Sequence, residues 1–264
     1  MAESEKEIKL EGGNVSGVYR LGNTVRRKLK PESVKIHKLL KHLKHRNFSY
    51  SPQFLGIDEK DREILSFIEG EVGNYPVQPY MWSDNSLKEI AQMLRHYHDA
   101  VSDFPLDDSW QPLDLTPPIY EVLCHNDFAI YNLVFKDEKP VGIIDFDVAG
   151  PGPRLWDIAY ALYTCVPLSR YNLSQRDGTH EYYKAAQDAD RIKRRVNLFL
   201  AAYGQEFNGD YLAMVLLRLE GLCMTIKRRA DEGDAAFQKM IADGHVEHYE
   251  KEIEFIRLHG EDWK

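Results

Sequence analysis

The chain has 264 residues, 43% of them apolar, and a formal net charge of −8 from 34 Lys and Arg against 42 Asp and Glu. Its length is sufficient for a large core and two lobes, and its acidic balance disfavours nucleic acid as the main partner while suiting a cationic small molecule. The opening MAESEKEIK has no apolar leader run, no stretch approaches the ~18 apolar residues of a membrane span, and Cys124, Cys165 and Cys223, each within an apolar stretch, read as reduced core residues of a cytoplasmic protein.

Ile8 and Leu10 alternate with charge, then Gly12-Gly13-Asn14-Val15-Ser16-Gly17 precedes Val18, Tyr19 and Leu21. This pattern predicts two strands joined by a glycine-rich loop, through which backbone N–H groups can approach phosphate because glycine puts no side chain in the way. No Gly-Lys-Ser/Thr follows, so the loop is not a Walker A loop, and alone it is as consistent with an ordinary hairpin turn. Thr24 to Leu29 form a third strand carrying Arg26, Arg27 and Lys28, and Pro31 suits the start of a helix. Ile36, Leu39, Leu40 and Leu43 recur at helical spacing, opposite a basic face of Lys35, Lys38, Lys41, Lys44 and Arg46. That basic face is read as solvated rather than as a nucleic-acid surface. Gln53 to Ile57 and Arg62 to Glu69 flank the turn Glu59-Lys60-Asp61 and complete a five-stranded antiparallel sheet with one helix.

Glu69-Gly70 ends that lobe. A helix is predicted to begin at Ser86, with Glu89 three residues on completing a capping box. His96 and His98, two apart on this helix, cannot share a metal and read as surface or packing residues. Residues 102 to 119 then connect to a buried strand, Val122 to Cys124, which delivers His125-Asn126-Asp127 into a loop ending at Asn132. Leu133 to Phe135 and Val141 to Ile144 read as a hairpin around the turn 136–140, with Asn132 at its start and Asp145 at its end. An Asp, an Asn five residues on and a second Asp thirteen beyond that have the spacing of kinase catalytic machinery. There the first Asp accepts the proton of a substrate hydroxyl, and the Asn and second Asp hold Mg²⁺ on nucleotide phosphates. Hard oxygen ligands suit Mg²⁺, and the region has no Cys or His pairs at zinc spacing.

His125-Asn126-Asp127-Phe128, Asn132 and Ile144-Asp145-Phe146-Asp147, followed by Trp156-Asp157-Ile158-Ala159, resemble the H-x-D-x-x-x-x-N and I-D-[FW]-[DE] motifs of the aminoglycoside phosphotransferases, kinases related to the choline kinases. The resemblance implies an α+β, two-lobed protein-kinase-like fold: residues 1–70 a small antiparallel-sheet lobe and 71–264 a mostly helical lobe. It implies Asp127 as catalytic base, Asn132 and Asp145 as Mg²⁺ ligands with Asp147 in reserve, and ATP or GTP as co-substrate. Gly13, Ser16 and Gly17 would cover the nucleotide, and Ser66, Phe67 and Ile68 fall where a kinase-like hinge offers its backbone to adenine. The third strand would supply a phosphate-gripping cation, and matching it to the family's V-L-R-R form selects Arg26 for the cleft and leaves Arg27 outside. The helix Glu that normally pairs with this cation is missing, and His37 stands near its position. His125 and Asp157 are expected to brace the loop.

Beyond Pro151-Gly152-Pro153 the chain reads as helical: a helix from Trp156, one stopped by Gly204, one from Leu212 to Ile226, and a last from Ala235 to about Leu258. The acceptor implied is an aminoglycoside or another amine-bearing alcohol, as in a choline-kinase-like metabolite kinase, with no nucleic acid or membrane partner. Asp177, Glu181, Asp188 and Glu220 are candidates to meet a cationic substrate but read more simply as surface residues. The competing classes are a degenerate kinase that binds nucleotide without turnover, and a basic-helix nucleic-acid binder with steep salt dependence.

Overall fold

A computed structural model describes residues 6–10, 17–173, 180–204 and 210–264. Gly13, Ser16 and Asp177 of the sequence reading lie outside the described residues. The N-terminal part is a five-stranded antiparallel sheet of β1 (Ile8–Leu10), β2 (Val18–Leu21), β3 (Thr24–Lys28), β4 (Phe54–Ile57) and β5 (Arg62–Ser66), in the order β1-β2-β3-β5-β4. Helix α1 (Ser33–His45) lies between β3 and β4 in the chain and buries Ile36, Leu39, Leu40 and Leu43, as their spacing dictates. Its lysines point outward: Lys38 pairs with Asp107, while Lys35 and Lys41 lie over the rings of Trp110 and Phe54.

Helix α2 (Asp84–Ala100) starts two residues before the predicted position. Ser83 is its N-cap, and its hydroxyl accepts the N–H of Ser86 at 3.1 Å. Ser86 therefore sits in the first turn, with its own hydroxyl turned to Tyr80 O, and the expected capping box is not used. β7 (Val122–Cys124) pairs with β10 (Gly150–Gly152), and β6 (Glu71–Val72), β8 (Leu133–Lys136) and β9 (Lys139–Ile143) form a three-stranded sheet. The β8–β9 turn is Asp137-Glu138, both at positive φ (51° and 62°). Such a turn matches the right-handed twist of its strands and fixes their register. β9 ends at Ile143, and Asp145 lies beyond the ladder.

The remaining elements are α3 (Arg154–Cys165), the strand pair β11 (Tyr171–Leu173) and β12 (His180–Tyr182), α4 (Ala185–Tyr203), α5 (Tyr211–Asp231), α6 (Ala235–Ala242) and α7 (His245–His259). The single last helix expected from Ala235 is in fact two, broken at Gly244, whose φ of +80° a helix cannot accommodate. Helix α3 is buried on nearly every face, while α4, α5 and α7 contribute apolar stripes to the same core. All three cysteines are free and buried. No helix among the described residues is long and apolar enough to cross a membrane. The architecture is the α+β, two-lobed kinase-like one: an antiparallel sheet first, a mostly helical region after it.

Candidate active site

The loop after β7 is held from behind by one buried carboxylate. Asp157, in the first turn of α3, accepts the backbone N–H of His125 (2.6 Å) and of Asn126 (2.7 Å). It also accepts from His98 Nε2 on α2 at 3.1 Å. Burial alone would raise its pKa; the hydrogen bond from His98, His98 and His125 nearby and the Asn126 N–H outweigh that and hold it below the usual carboxylate range. His98 is itself pushed down by burial, so the neutral ring donates to Asp157 and accepts from Tyr203 on the other side. His125 is buried among Phe146, Phe128 and Tyr97, and its Nδ1 accepts the N–H of Asp127 at 3.2 Å. Its geometry is that of a brace. Asn126 takes φ +66°, a conformation Asn tolerates better than most residues, and its carbonyl accepts from buried Arg218 of α5.

This anchoring presents Asp127. Its Oδ2 accepts from Asn132 Nδ2 at 2.7 Å and its Oδ1 from the Tyr131 hydroxyl, also at 2.7 Å. Because the Asn132 amide nitrogen faces Asp127, its Oδ1 is turned away from it. Asn132 O accepts the N–H of Ile144 at 2.9 Å, extending the β8–β9 ladder and bringing Asp145 beside Asn132. Asp145 adopts φ +65°, a conformation that costs about 1–3 kcal/mol outside glycine and clusters at functional sites. Its pKa is pushed up to about 6 by desolvation and by the Asp147 and Asp127 carboxylates. Its side chain is still 52% exposed. A carboxylate destabilised by like charges, beside an amide oxygen, fits one edge of a Mg²⁺ shell, which ordinarily takes one or two protein ligands and completes itself with water and phosphate. Among the described residues no cluster of three or more His, Cys, Asp or Glu forms a self-sufficient metal cage.

Asp147 departs from expectation. Alternation along a strand would place it on the same side as Asp145, but β9 has ended and the positive φ of Asp145 breaks the alternation. Asp147 instead receives Arg27 bidentately (3.0 and 2.6 Å) and Lys30 at 2.6 Å. Burial opposes its ionisation, yet Arg27 and Lys30 hold its pKa down.

The third strand also corrects the sequence reading. Arg27, not Arg26, faces the acidic cluster, lying 3.9 Å from Asp145. Arg26 bonds Thr24 Oγ1 at 2.6 Å and lies 3.6 Å from Asp58, on the opposite side of the sheet. The two alternate as strand geometry requires, but the register is shifted by one. The absent helix glutamate is replaced from a neighbouring strand. Glu63, opposite Arg27 on β5 and fully buried, accepts from Arg27 Nε and lies 2.6 Å from His37 Nε2 of α1. His37, near the position of the missing glutamate, joins the helix to this pair and stacks on Phe54.

The hinge is only partly available. Ser66 N–H is bonded to Gln53 O and Phe67 N–H to Asn23 O, both at 2.9 Å, so neither is offered to a base. Phe67 lies beneath Arg20. Ile68 has no backbone hydrogen bond among the described residues and lies over β9, where a Cβ at Gly142 would sit 2.8 Å from its Cδ1. Gly17 opens β2. Of the acidic candidates, Asp188 caps and pairs locally with Lys184 and Arg191, Glu220 pairs with Arg257, and Glu181 lies on exposed β12, so none reaches Asp127. Tyr131, Lys30, Glu63 and Arg218 went unnoticed in the sequence. Only Tyr131, within the H-x-D-x-x-x-x-N stretch, sat close enough to a motif to be found.

Residues 74–199 match the model of the phosphotransferase enzyme family. The chain belongs to that family. A trifolitoxin immunity protein of Rhizobium leguminosarum bv. trifolii is 34% identical over 205 residues, 75% of this chain and 74% of that protein. Among solved structures, the GDP and kanamycin complex of APH(2″)-IIia is similar with a TM-score of 0.60 at 17% identity, covering 95% of this chain and 93% of that one. Choline kinase from Cryptosporidium parvum Iowa II gives 0.60 at 12%, covering 97% and 91%. At such identities the likeness is one of fold.

Three outcomes follow from this geometry. Asp157→Ala leaves two buried N–H groups without an acceptor and costs about 3–5 kcal/mol by chemical denaturation. Because the Asp157 pKa is depressed in the folded state, its stabilisation is complete above the unfolded value of about 4 and is lost as pH falls further. Asp145 works in the opposite sense. Its folded pKa lies above the unfolded one, so it contributes stability below pH ~4 and loses it as pH rises to about 6. Asp145→Asn therefore raises the melting temperature at pH 7, modestly because solvent screens the half-exposed group, and leaves it unchanged near pH 4. Finally, Arg27→Gln weakens nucleotide binding about tenfold, roughly 1.4 kcal/mol, whereas Arg26→Gln changes it little. Calorimetry with Mg·ATP and Mg·GTP decides between the two arginines.

Proposed function

We propose that the protein transfers the γ-phosphoryl group of ATP or GTP to a hydroxyl of a small molecule, with residues 1–70 as the nucleotide lobe and 71–264 as the catalytic and substrate lobe. The observation that carries this reading is the Asp127–Asn132 hydrogen bond at one end of the β8–β9 hairpin, with the partly open, charge-crowded Asp145 at the other. A protein that bound nucleotide without turnover would have no need of a base held on both oxygens.

The chemistry balances simply. Asp127 accepts the proton of the acceptor hydroxyl as that oxygen bonds to the γ-phosphorus, and the bond to the β–γ bridging oxygen breaks, so the nucleoside diphosphate leaves with the electron pair. When bound, Mg²⁺ would supply charge neutralisation on the nucleotide phosphates. Asn132 Oδ1 and Asp145 would hold it, with Asp147 kept in place by Arg27 and Lys30. The Tyr131 hydroxyl fixes the orientation of Asp127, and His125 and Asp157 fix its loop. Gly13, Ser16 and Gly17 would cover the phosphates, Arg27 takes the phosphate-gripping role first given to Arg26, and Ile68 is the hinge residue left for adenine.

An aminoglycoside or other amine-bearing alcohol is the acceptor class favoured by the kanamycin and choline kinase neighbours and by the net charge of −8. A role in protection is supported by the relative named for immunity to trifolitoxin. The three buried free thiols fit a cytoplasmic setting. Asp127→Asn is expected to bind Mg·nucleotide like the parent while losing about 10²–10⁴ in turnover, the usual worth of a positioned base. The measurement is diphosphate release with and without Mg²⁺ over a panel of alcohols; turnover within threefold of the parent would remove Asp127 from the chemistry.

A further inference from the structure

Arg27 can serve a nucleotide only with the hydrogens that the protein leaves it. Nε bonds Glu63 and one N–H on each terminal nitrogen bonds Asp147, so one N–H on each terminal nitrogen remains. How the fork is rolled about its stem decides where those two point. On the cleft side it faces Asp147, itself shared with Lys30 at 2.6 Å, and Asp145 at 3.9 Å. Glu63 alone holds it from the β5 side.

Glu63 is fully buried, and each of its oxygens has one partner. One accepts from Arg27 Nε, and the other lies 2.6 Å from His37 Nε2. A carboxylate only accepts, so that ring nitrogen carries the hydrogen. If the donor were removed, a buried carboxylate oxygen would be left unsatisfied, which costs more than one hydrogen bond returns. The nearest replacement donors are the terminal N–H groups of Arg27, the same ones a phosphate would use. His37 is well placed to prevent that exchange. It is 7% exposed and stacks on Phe54 of β4, with ring centroids 3.7 Å apart and planes 19° apart. Its helix is tied at the other end, where His42 Nε2 lies 2.9 Å from Ala100 O at the end of α2.

We propose that His37 is a positioning residue for nucleotide binding: its Nε2–H keeps Glu63 on Arg27 Nε and so leaves the terminal N–H groups of Arg27 for the phosphates. The proposal rests on the phosphotransfer reading and adds to it a role for α1. In kinases a helix glutamate orients the strand cation directly. Here the helix supplies a donor instead, and it acts on the cation through an acceptor that belongs to the sheet.

The test separates the donor from the packing. His37→Gln keeps an N–H and loses the ring that stacks on Phe54, whereas His37→Phe keeps a ring and loses the N–H. Calorimetric titration of Mg·ADP into the full chain should show His37→Phe weakened about fivefold and His37→Gln within about twofold of the parent. A cooperative melting transition reports an intact fold in each. In an Arg27→Gln background, His37→Phe should add no further loss, because its route to the phosphates is already gone. The reverse order of the two single variants would make His37 a packing residue, and an equal loss in the Arg27→Gln background would mean that it acts elsewhere. Either result overturns the proposal, as does unchanged affinity in both single variants or failure of both to fold. A parent chain that binds no Mg·ADP is distinguishable from all of these: it removes the phosphotransfer reading and the proposal together.

Discussion

The site depends on a charge that never meets solvent. Asp157 is fully buried and accepts from two consecutive backbone N–H groups and from His98, which ties α2, α3 and the loop after β7 together at one point. Those N–H groups belong to a stretch that leaves its strand at an angle and has no ladder partner for them. A buried donor without an acceptor costs more than a hydrogen bond returns, so the carboxylate is what allows an irregular loop to run through the core. The positive φ of Asn126 and the projection of Asp127 follow from that allowance. The Arg218 contact to Asn126 O closes the loop from the α5 side.

A second arrangement governs the other wall of the cleft. In kinases a strand lysine is oriented by a helix glutamate; here the strand cation is Arg27 and the glutamate is Glu63 on the adjacent strand, with His37 of α1 bonded to it. An arginine can be held by several carboxylates at once because its five donors lie in a rigid fork. Arg27 uses that capacity, meeting Glu63 through Nε and Asp147 through both terminal nitrogens. The helix is thus connected to Arg27 through one intermediate carboxylate. A missing glutamate in the helix sequence therefore did not mean a missing ion pair.

How much of this could be read beforehand divides along physical lines. The Val122–Cys124 strand, the hairpin and the helix faces were legible because apolar periodicity is a local property that burial enforces. That Asp127, Asn132 and Asp145 come together was legible because the strands that deliver them are fixed by local apolar periodicity. The choice between Arg26 and Arg27 was not, since a one-residue register shift exchanges the faces of a strand without altering its composition. Glu63 and Lys30 were invisible for a related reason: each joins the site through pairing across the sheet or the cleft, and nothing near them in sequence marks it. The hinge was legible only in part. Ser66 and Phe67 stand where expected, but their N–H groups are consumed by Gln53 and Asn23, a matter of partners that no spacing reveals.

The two aspartates of the Ile144-Asp145-Phe146-Asp147 stretch show how one short segment separates structural from chemical work. Both are carboxylates in the same crowded neighbourhood, yet their pKa values are driven in opposite directions, Asp145 up to about 6 and Asp147 down. Partners make the difference: Asp147 has three charge-assisted hydrogen bonds, from Arg27 and Lys30, while Asp145 has only a guanidinium nitrogen at 3.9 Å. Closing β9 at Ile143 and turning Asp145 through positive φ keeps it from the direct hydrogen bonds that Arg27 and Lys30 give Asp147. A carboxylate so placed is destabilised in the absence of a counter-charge, and the same repulsion that costs the fold stability raises its preference for a divalent cation. Electrostatic cost is thereby concentrated on Asp145, while its neighbour two residues on is compensated by Arg27 and Lys30.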